Sequence, residues 1–323
     1  MTFTPSSLWQ TVTLGPGGPI VPAVGIGTWA WGDNLYWSYG QDYGEAELQG
    51  AFEGAIESGL TFFDTAEVYG LGESERLLGR FMQGLPPESR DRVQIATKYF
   101  PLPWRMSPQA VASTLEASLE RLQATTIPLY QVHWPFDFFL GQSALLKALA
   151  EAVRQGQIQA VGVSNYSAAK MRQAHQILAD LGIPLASNQV QYSLLRRTIE
   201  TNGVLATARE LGVVILAYCP LAQGLLTGKY RAGQRLPGGV RSLNPRFQEA
   251  GLRRLEPLLQ ALQEVGNRHD RTPSQVALNW LVSQGTLPIP GAKTADHARQ
   301  NAGALGWQLS PDEMAHLASF KNV

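Results

Sequence analysis

Eight apolar, β-rich runs recur along this chain, starting near residues 23, 60, 93, 127, 160, 186, 213 and 287. Until the last they lie about 30 residues apart, mostly with one helical stretch between neighbours. Leu48, Phe52, Ala55 and Ile56 mark one helical face, and Val111, Leu115, Leu119 and Leu122 mark another. Strands that alternate with amphipathic helices imply a parallel sheet. Eight such units predict a closed (β/α)8 TIM barrel, with the whole chain, 1–323, as one domain. An open doubly wound sheet is the alternative. Its dinucleotide fingerprint G-x-G-x-x-G is missing: Gly25, Gly27 and Gly32 have the wrong spacing and run into an aromatic loop.

Local signals decorate this frame. Residues 8–21 read as a small hairpin, turned at Gly15-Pro16-Gly17-Gly18-Pro19, that caps one end of the barrel. Ser107-Pro108, Thr272-Pro273-Ser274-Gln275 and Ser310-Pro311-Asp312-Glu313 carry N-caps followed by proline at the first helical position. The last opens an extra C-terminal helix. Residues 219–251 form a long loop rich in Gly, Pro and Arg, and a connection this long inside a compact domain is expected to have a function.

Composition narrows the partners. Basic and acidic residues balance at 26 each, with pI near 7.0 and no dense Lys/Arg cluster, so no nucleic-acid partner is expected. No apolar run reaches membrane-spanning length, so no membrane is expected either. The first residues, MTFTPSSLWQ, lack a charged segment leading into an apolar core, which argues against a secretory signal. Cys219 is the one cysteine, so no internal disulfide can form; a reducing cytoplasm is the expected location. The histidines at 133, 175, 269, 297 and 316 are scattered, and no metal site is expected. The oligomeric state stays open, with a monomer slightly favoured.

Four polar residues end three successive strand runs: Asp64 and, five residues later, Tyr69; Lys98; and His133. Barrel active sites lie at the carboxyl ends of the strands. A phenol with its ordinary pKa of about 10 is a weak proton donor near neutrality. A nearby ammonium favours the phenolate, and a carboxylate holds that ammonium charged and in place. His133 can donate a hydrogen bond that orients a carbonyl oxygen. The group thus reads as machinery for proton transfer to a carbonyl.

FDTAEVYG, the ATK ending at Lys98, the run from Gln131 to Trp134, GVSN at 162–165 and AYCPLAQGLLTGKY together resemble the aldo-keto reductase superfamily, in family order, from about Val24 to Leu309. The resemblance implies a (β/α)8 barrel that reduces a small-molecule aldehyde or ketone with NADPH. It makes Tyr69 the general acid, Asp64 and Lys98 the residues that tune it, and His133 the residue that orients the carbonyl. It places the nicotinamide carboxamide on Ser164, Asn165 and Gln189 and stacks the ring on Tyr218, with Thr28, Trp29 and Asp64 nearby. Cys219, Pro220, Leu221, Gln223 and Gly224 match the loop at the pyrophosphate, with Lys229 and Arg241 neutralising charge; residues 219–251 are then a cofactor clamp. Gly291, Lys293, His297, Gln300 and Asn301 match the adenosine end. Lys293 stands where many relatives have Ser, and His297 and Gln300 where many have Gln and Glu. Lys293 beside a helix start suits a 2′-phosphate.

The expected mouth is aromatic, with Trp29, Trp31, Trp104 and Trp134 as pocket residues and Trp37, Phe136, Phe138 and Phe139 near them. Such a pocket suits a planar or apolar aldehyde. GTWAWGDNLYW, PWR at 103–105, IPLASNQVQYSLL and GALGWQL resemble the plant chloroplast and cyanobacterial branch that includes pyridoxal reductases, which makes pyridoxal a candidate substrate. The main alternative is a non-enzymatic NADPH-binding regulatory subunit like the channel β-subunits of similar architecture; those carry asparagine where this chain has His133. A third reading, a barrel enzyme for a sugar phosphate held by Gly224, Gly228 and Gly291, fits the aromatic mouth poorly.

Overall fold

A computed structural model describes residues 10–233 and 244–320. Strands β1 (Thr11–Thr13) and β2 (Ile20–Pro22) pair antiparallel as the expected hairpin, whose start at Leu8 lies outside the described residues. Eight further strands follow: β3 (Ile26–Gly27), β4 (Phe62–Asp64), β5 (Gln94–Tyr99), β6 (Ile127–Val132), β7 (Ile158–Ser164), β8 (Leu185–Gln191), β9 (Val214–Tyr218) and β10 (Leu287–Pro288). Each pairs in parallel with its neighbour in chain order. The sheet closes where Gly25 N–H donates to Pro288 O at 3.0 Å and Gly27 N–H to Pro290 O at 2.9 Å, with Gly27 bridging Gly291.

The helices are α1 (Glu45–Glu57), α2 (Glu73–Gln83), the short α3 (Pro87–Arg90), α4 (Pro108–Leu122), α5 (Gln142–Arg154), α6 (Ala168–Ala179), α7 (Val204–Leu211), α8 (Glu249–His269), α9 (Pro273–Ser283), α10 (Ala295–Ala302) and α11 (Pro311–Ser319). Ser107, Thr272 and Ser310 cap α4, α9 and α11 as their spacing predicts. α7 starts only after Gly203, which sits at φ +85° and interrupts the helical path. α8 carries Pro257 inside it; a buried stripe of Leu252, Leu255, Leu258, Leu259, Leu262 and Val265 sustains it. Among the described residues no helix is long and apolar enough to cross a membrane.

Side-chain parity then decides what faces the barrel axis. Phe62, Ala96, Leu129, Ala160, Val214 and Leu216 form an inner apolar cluster, and the hairpin residues Leu14 and Val21 plug its lower end. Two residues further along three of these strands the inward position is polar: Asp64 after Phe62, Lys98 after Ala96, Gln131 after Leu129. Alternate residues such as Phe63, Ile95 and Tyr130 face the helices instead and join the larger outer core. The barrel is therefore a dry plug with a polar top.

The seam between β3 and β10 tolerates no side chain. A Cβ on Gly25 would meet the Phe62 ring at 2.6 Å, and one on Gly27 would meet Ile289 O at 2.8 Å. Gly27→Ala should lower unfolding stability by about 1–3 kcal/mol through this overpacking. Urea unfolding checks it, and unchanged stability would mean that the seam is not tight.

Candidate active site

The polar top is built around a buried ion pair. Lys98 Nζ donates to Asp64 Oδ1 at 2.6 Å and to Thr65 O at 2.7 Å, with its side chain fully enclosed. Asp64 Oδ2 accepts from Gln189 Nε2 at 2.7 Å and Gln131 Nε2 at 3.1 Å. Burial pulls the lysine down from its ordinary pKa, while Asp64 and then Glu75 hold it up. Glu75, on α2, is itself buried, accepting from Thr97 Oγ1 at 2.6 Å and Arg121 Nε at 2.7 Å. Gln131 and Glu75 escaped the sequence analysis as functional candidates. The available signal was a polar residue at a position whose neighbours of equal parity or helical phase, Leu129 and Leu78, are buried.

Tyr69 lies beyond β4, with Lys98 Nζ 5.0 Å from its ring centre. Its phenol is pushed well above its ordinary value, first by burial and then by the Asp64 carboxylate. This corrects the expectation that the lysine would lower it: Lys98 spends its charge on Asp64 at 2.6 Å, and desolvation prevails. The resting phenol therefore keeps its proton. The His133 ring meets the Tyr69 ring edge to face at 5.8 Å. Burial, and then the Lys98 charge, pull its imidazole down to about 3. The imidazole is neutral at physiological pH and offers one N–H donor.

These groups open into a cavity of about 600 Å³. Asp64, Tyr69 and His133 line one end, and Lys98 lies beneath them. Thr28, Trp29, Ser164, Asn165, Gln189 and Tyr218 line the middle. Ser164 Oγ donates to Gln189 O at 2.9 Å, and Tyr218 Oη to Asn165 Oδ1 at 3.1 Å, so these polar groups brace one another. Cys219, Pro220, Leu221, Gln223 and Gly224 form a side wall, bent by left-handed backbone at Cys219, Gln223 and Gly224. Lys229, Gly291, Lys293, His297, Gln300 and Asn301 line the far end. There burial, then the charges of Lys229 and Lys293, push His297 below its ordinary value against the opposing pull of Asp296, so two lysine charges meet at this corner. Lys293 Nζ rests on the Tyr43 ring at 3.8 Å and the Trp37 ring at 4.9 Å. Across the trench Gln223 Nε2 donates to Tyr36 Oη at 2.9 Å. Arg241 lies outside the described residues.

Of the four tryptophans expected at the pocket, two line it: Trp29 and Trp134. Trp31 does not. It is fully buried against Phe63 and Phe81, and its indole N–H donates to Ala292 O at 2.8 Å, which ties the first loop to the last. Trp104 is 71% exposed on the loop after β5, away from the cavity lining. Trp37 takes a lining position instead. Among the described residues no cluster of three or more His, Cys, Asp or Glu is placed to hold a metal.

The arrangement suits a long, partly anionic ligand. One end is a hydrogen-bonding socket beside a proton donor, and the other is a positive corner. Gln223 Oε1 is buried in the wall without a protein partner among the described residues, as expected of a group that meets a ligand.

Comparison with known proteins gives a consistent result. The sequence model of the aldo/keto reductase family matches residues 23–322. Pyridoxal reductase, chloroplastic, of Arabidopsis thaliana is 42% identical over 98% of this chain and 88% of its own length. Among solved structures, an aldo-keto reductase from Klebsiella pneumoniae in complex with NADPH superposes with a TM-score of 0.73 at 30% identity, covering 99% of this chain and 95% of that one. The glycerol dehydrogenase of Gluconobacter oxydans superposes with a TM-score of 0.83 at 27% identity, covering 96% and 94%.

The neutral His133 has a consequence for stability. In the unfolded chain the imidazole takes up a proton as pH falls below 6.5; in the folded protein it does so only near 3. Stability is therefore lost as pH falls through that window, by up to about 1.4 kcal/mol per pH unit. His133→Gln cannot titrate, so its stability should fall less steeply from pH 6.5 to 3. Urea unfolding across that range measures the slopes. Equal slopes would mean that folded His133 is already protonated.

Proposed function

The chain belongs to the aldo/keto reductase family and is an oxidoreductase; from that premise we propose that it reduces a planar aldehyde with NADPH, Tyr69 donating the proton. One observation carries the reading: a single cavity joins the phenol and imidazole, above their buried ion pair, to a corner made positive by Lys229 and Lys293. A dinucleotide with an anionic tail fits that polarity. Ser164, Asn165 and Gln189 would hold its amide end, Tyr218 would pack against its ring, and Lys293 would take a 2′-phosphate. NADPH, when bound, supplies the hydride.

The protein's own groups then do three things. Neutral His133 donates its N–H to the carbonyl oxygen and fixes the face presented. Tyr69 passes its proton to that oxygen as the carbonyl carbon gains the hydride, giving the alcohol. Its raised pKa keeps the proton in place until an alkoxide, far more basic than a phenolate, develops. Lys98, clamped by Asp64, is the charge that stabilises the phenolate left behind. Solvent then restores the proton.

For the substrate, the flat walls of Trp29 and Trp134 favour a planar ring, and the Arabidopsis relative is named for pyridoxal. We therefore take pyridoxal, reduced to pyridoxine, as the first candidate within a wider range of aldehydes. Cys219, pushed up to about 11 by burial, is held as an inert thiol, and a reducing compartment such as the cytoplasm is the proposed setting.

Tyr69→Phe should cut kcat at least about 100-fold while NADPH affinity stays within about twofold. Fluorescence titration with stopped-flow reduction separates the two, and undiminished turnover would remove Tyr69 as the donor. Lys293→Ala should weaken NADPH about 10- to 100-fold and leave NADH unchanged, since one charge-assisted contact is worth about 1.5–3 kcal/mol. Equal weakening of both cofactors would place Lys293 away from the 2′-phosphate.

A further inference from the structure

Glu67 stands between Asp64 and Tyr69, yet its carboxylate is absent from the cavity lining. It reaches instead to the loop after β5. There it accepts Phe100 N–H at 2.6 Å and both arms of Arg105, at 2.5 and 2.8 Å. Arg105 also donates to Phe100 O at 2.8 Å and lies over the Tyr99 ring at 5.2 Å. The pair is well enclosed, with side chains 7% and 18% exposed. The ladder between β5 and β6 ends one residue earlier, with His133 N–H donating to Tyr99 O at 2.9 Å. Phe100 thus leaves the sheet, and Glu67 supplies the acceptor that a neighbouring strand no longer offers.

Phe100 bears on the site. Its ring meets the His133 ring edge to face, with centres 5.4 Å apart, and meets Phe136 at 6.3 Å. An imidazole that must present one nitrogen is normally oriented by a hydrogen bond to the other. His133 Nδ1 is buried and no group among the described residues reaches it. Its orientation falls to the rings of Phe100 and Tyr69.

We propose that Glu67 and Arg105 are positioning residues that fix the His133 imidazole through Phe100. The kinetic side of this rests on the reductase reading; the structural side does not. A bidentate charge-assisted fork holds planar groups more stiffly than single contacts do. It grips Phe100 at both N–H and C=O, so the backbone that carries the ring cannot shift without breaking it.

The test is imidazole nitrogen NMR on histidine-labelled full-length protein, with His133 assigned by loss of its signals in His133→Gln. Wild type should show one sharp neutral-tautomer pair. Phe100→Leu removes the ring and leaves the fork intact. Glu67→Gln keeps an acceptor for Phe100 N–H and weakens the fork. Both should shift and broaden the His133 pair, and both should lower kcat for 4-nitrobenzaldehyde about tenfold, with NADPH affinity within about twofold of wild type. Unchanged His133 signals in both folded variants would overturn the proposal, whatever happens to kcat. If wild type turns over no aldehyde, the reductase reading fails and the NMR comparison still decides this one.

Discussion

A charge that water does not reach holds this site together. Lys98 is completely enclosed, and burying an ammonium costs several kcal/mol unless it is paired and hydrogen-bonded. Asp64 meets it at 2.6 Å, and Thr65 O accepts from it at 2.7 Å. The amides of Gln131 and Gln189 in turn saturate the second carboxylate oxygen. Four strands, β4, β5, β6 and β8, each contribute one member, so the pair also fixes their relative heights. Losing one partner would strand the other charge in a dry interior, and for that reason the arrangement is rigid. Rigidity is what a proton donor beside it requires.

The same dryness sets the tuning. Burial raises Tyr69 and lowers His133, so each is held neutral at physiological pH. In the proposed reaction a neutral phenol and a neutral imidazole would both donate hydrogen bonds to one oxygen without adding net charge to the resting pocket. On that proposal charge would enter only when an oxyanion forms, above the paired Lys98 and Asp64. At the other end the polarity reverses, where Lys229 and Lys293 gather around His297. Gln189 links the two regions, since the amide that braces Asp64 also faces the cavity.

Much of this was legible in the sequence, for physical reasons. Strands with helices on one side and a packed interior on the other read as apolar runs, and eight of them leave few topologies. The residues at strand ends stand out because polarity begins where the sheet stops, at Asp64, Lys98 and His133. Loop direction was not legible. Trp29 and Trp31 follow the same strand two residues apart, yet one lines the cavity and the other is core, because the chain turns between them, with Trp31 N–H donating to Thr28 O at 2.8 Å. Trp104 is turned outward on the loop whose neighbouring residues Phe100 and Arg105 are drawn to Glu67. The direction of the Tyr69 shift was also hidden, since it depends first on depth of burial, to which the Asp64 charge only adds. Gln131 passed as a strand residue because its role lies in a contact 67 positions away in the chain.

Carbonyl reduction is tested most directly by mixing purified protein with NADPH and following loss of the reduced nicotinamide absorbance, with pyridoxal and 4-nitrobenzaldehyde side by side. Aldehyde-dependent oxidation of NADPH is the predicted result, with pyridoxal among the substrates used. Tight binding of NADPH with no turnover of either aldehyde would contradict it and favour a regulatory subunit that holds the nucleotide without using it.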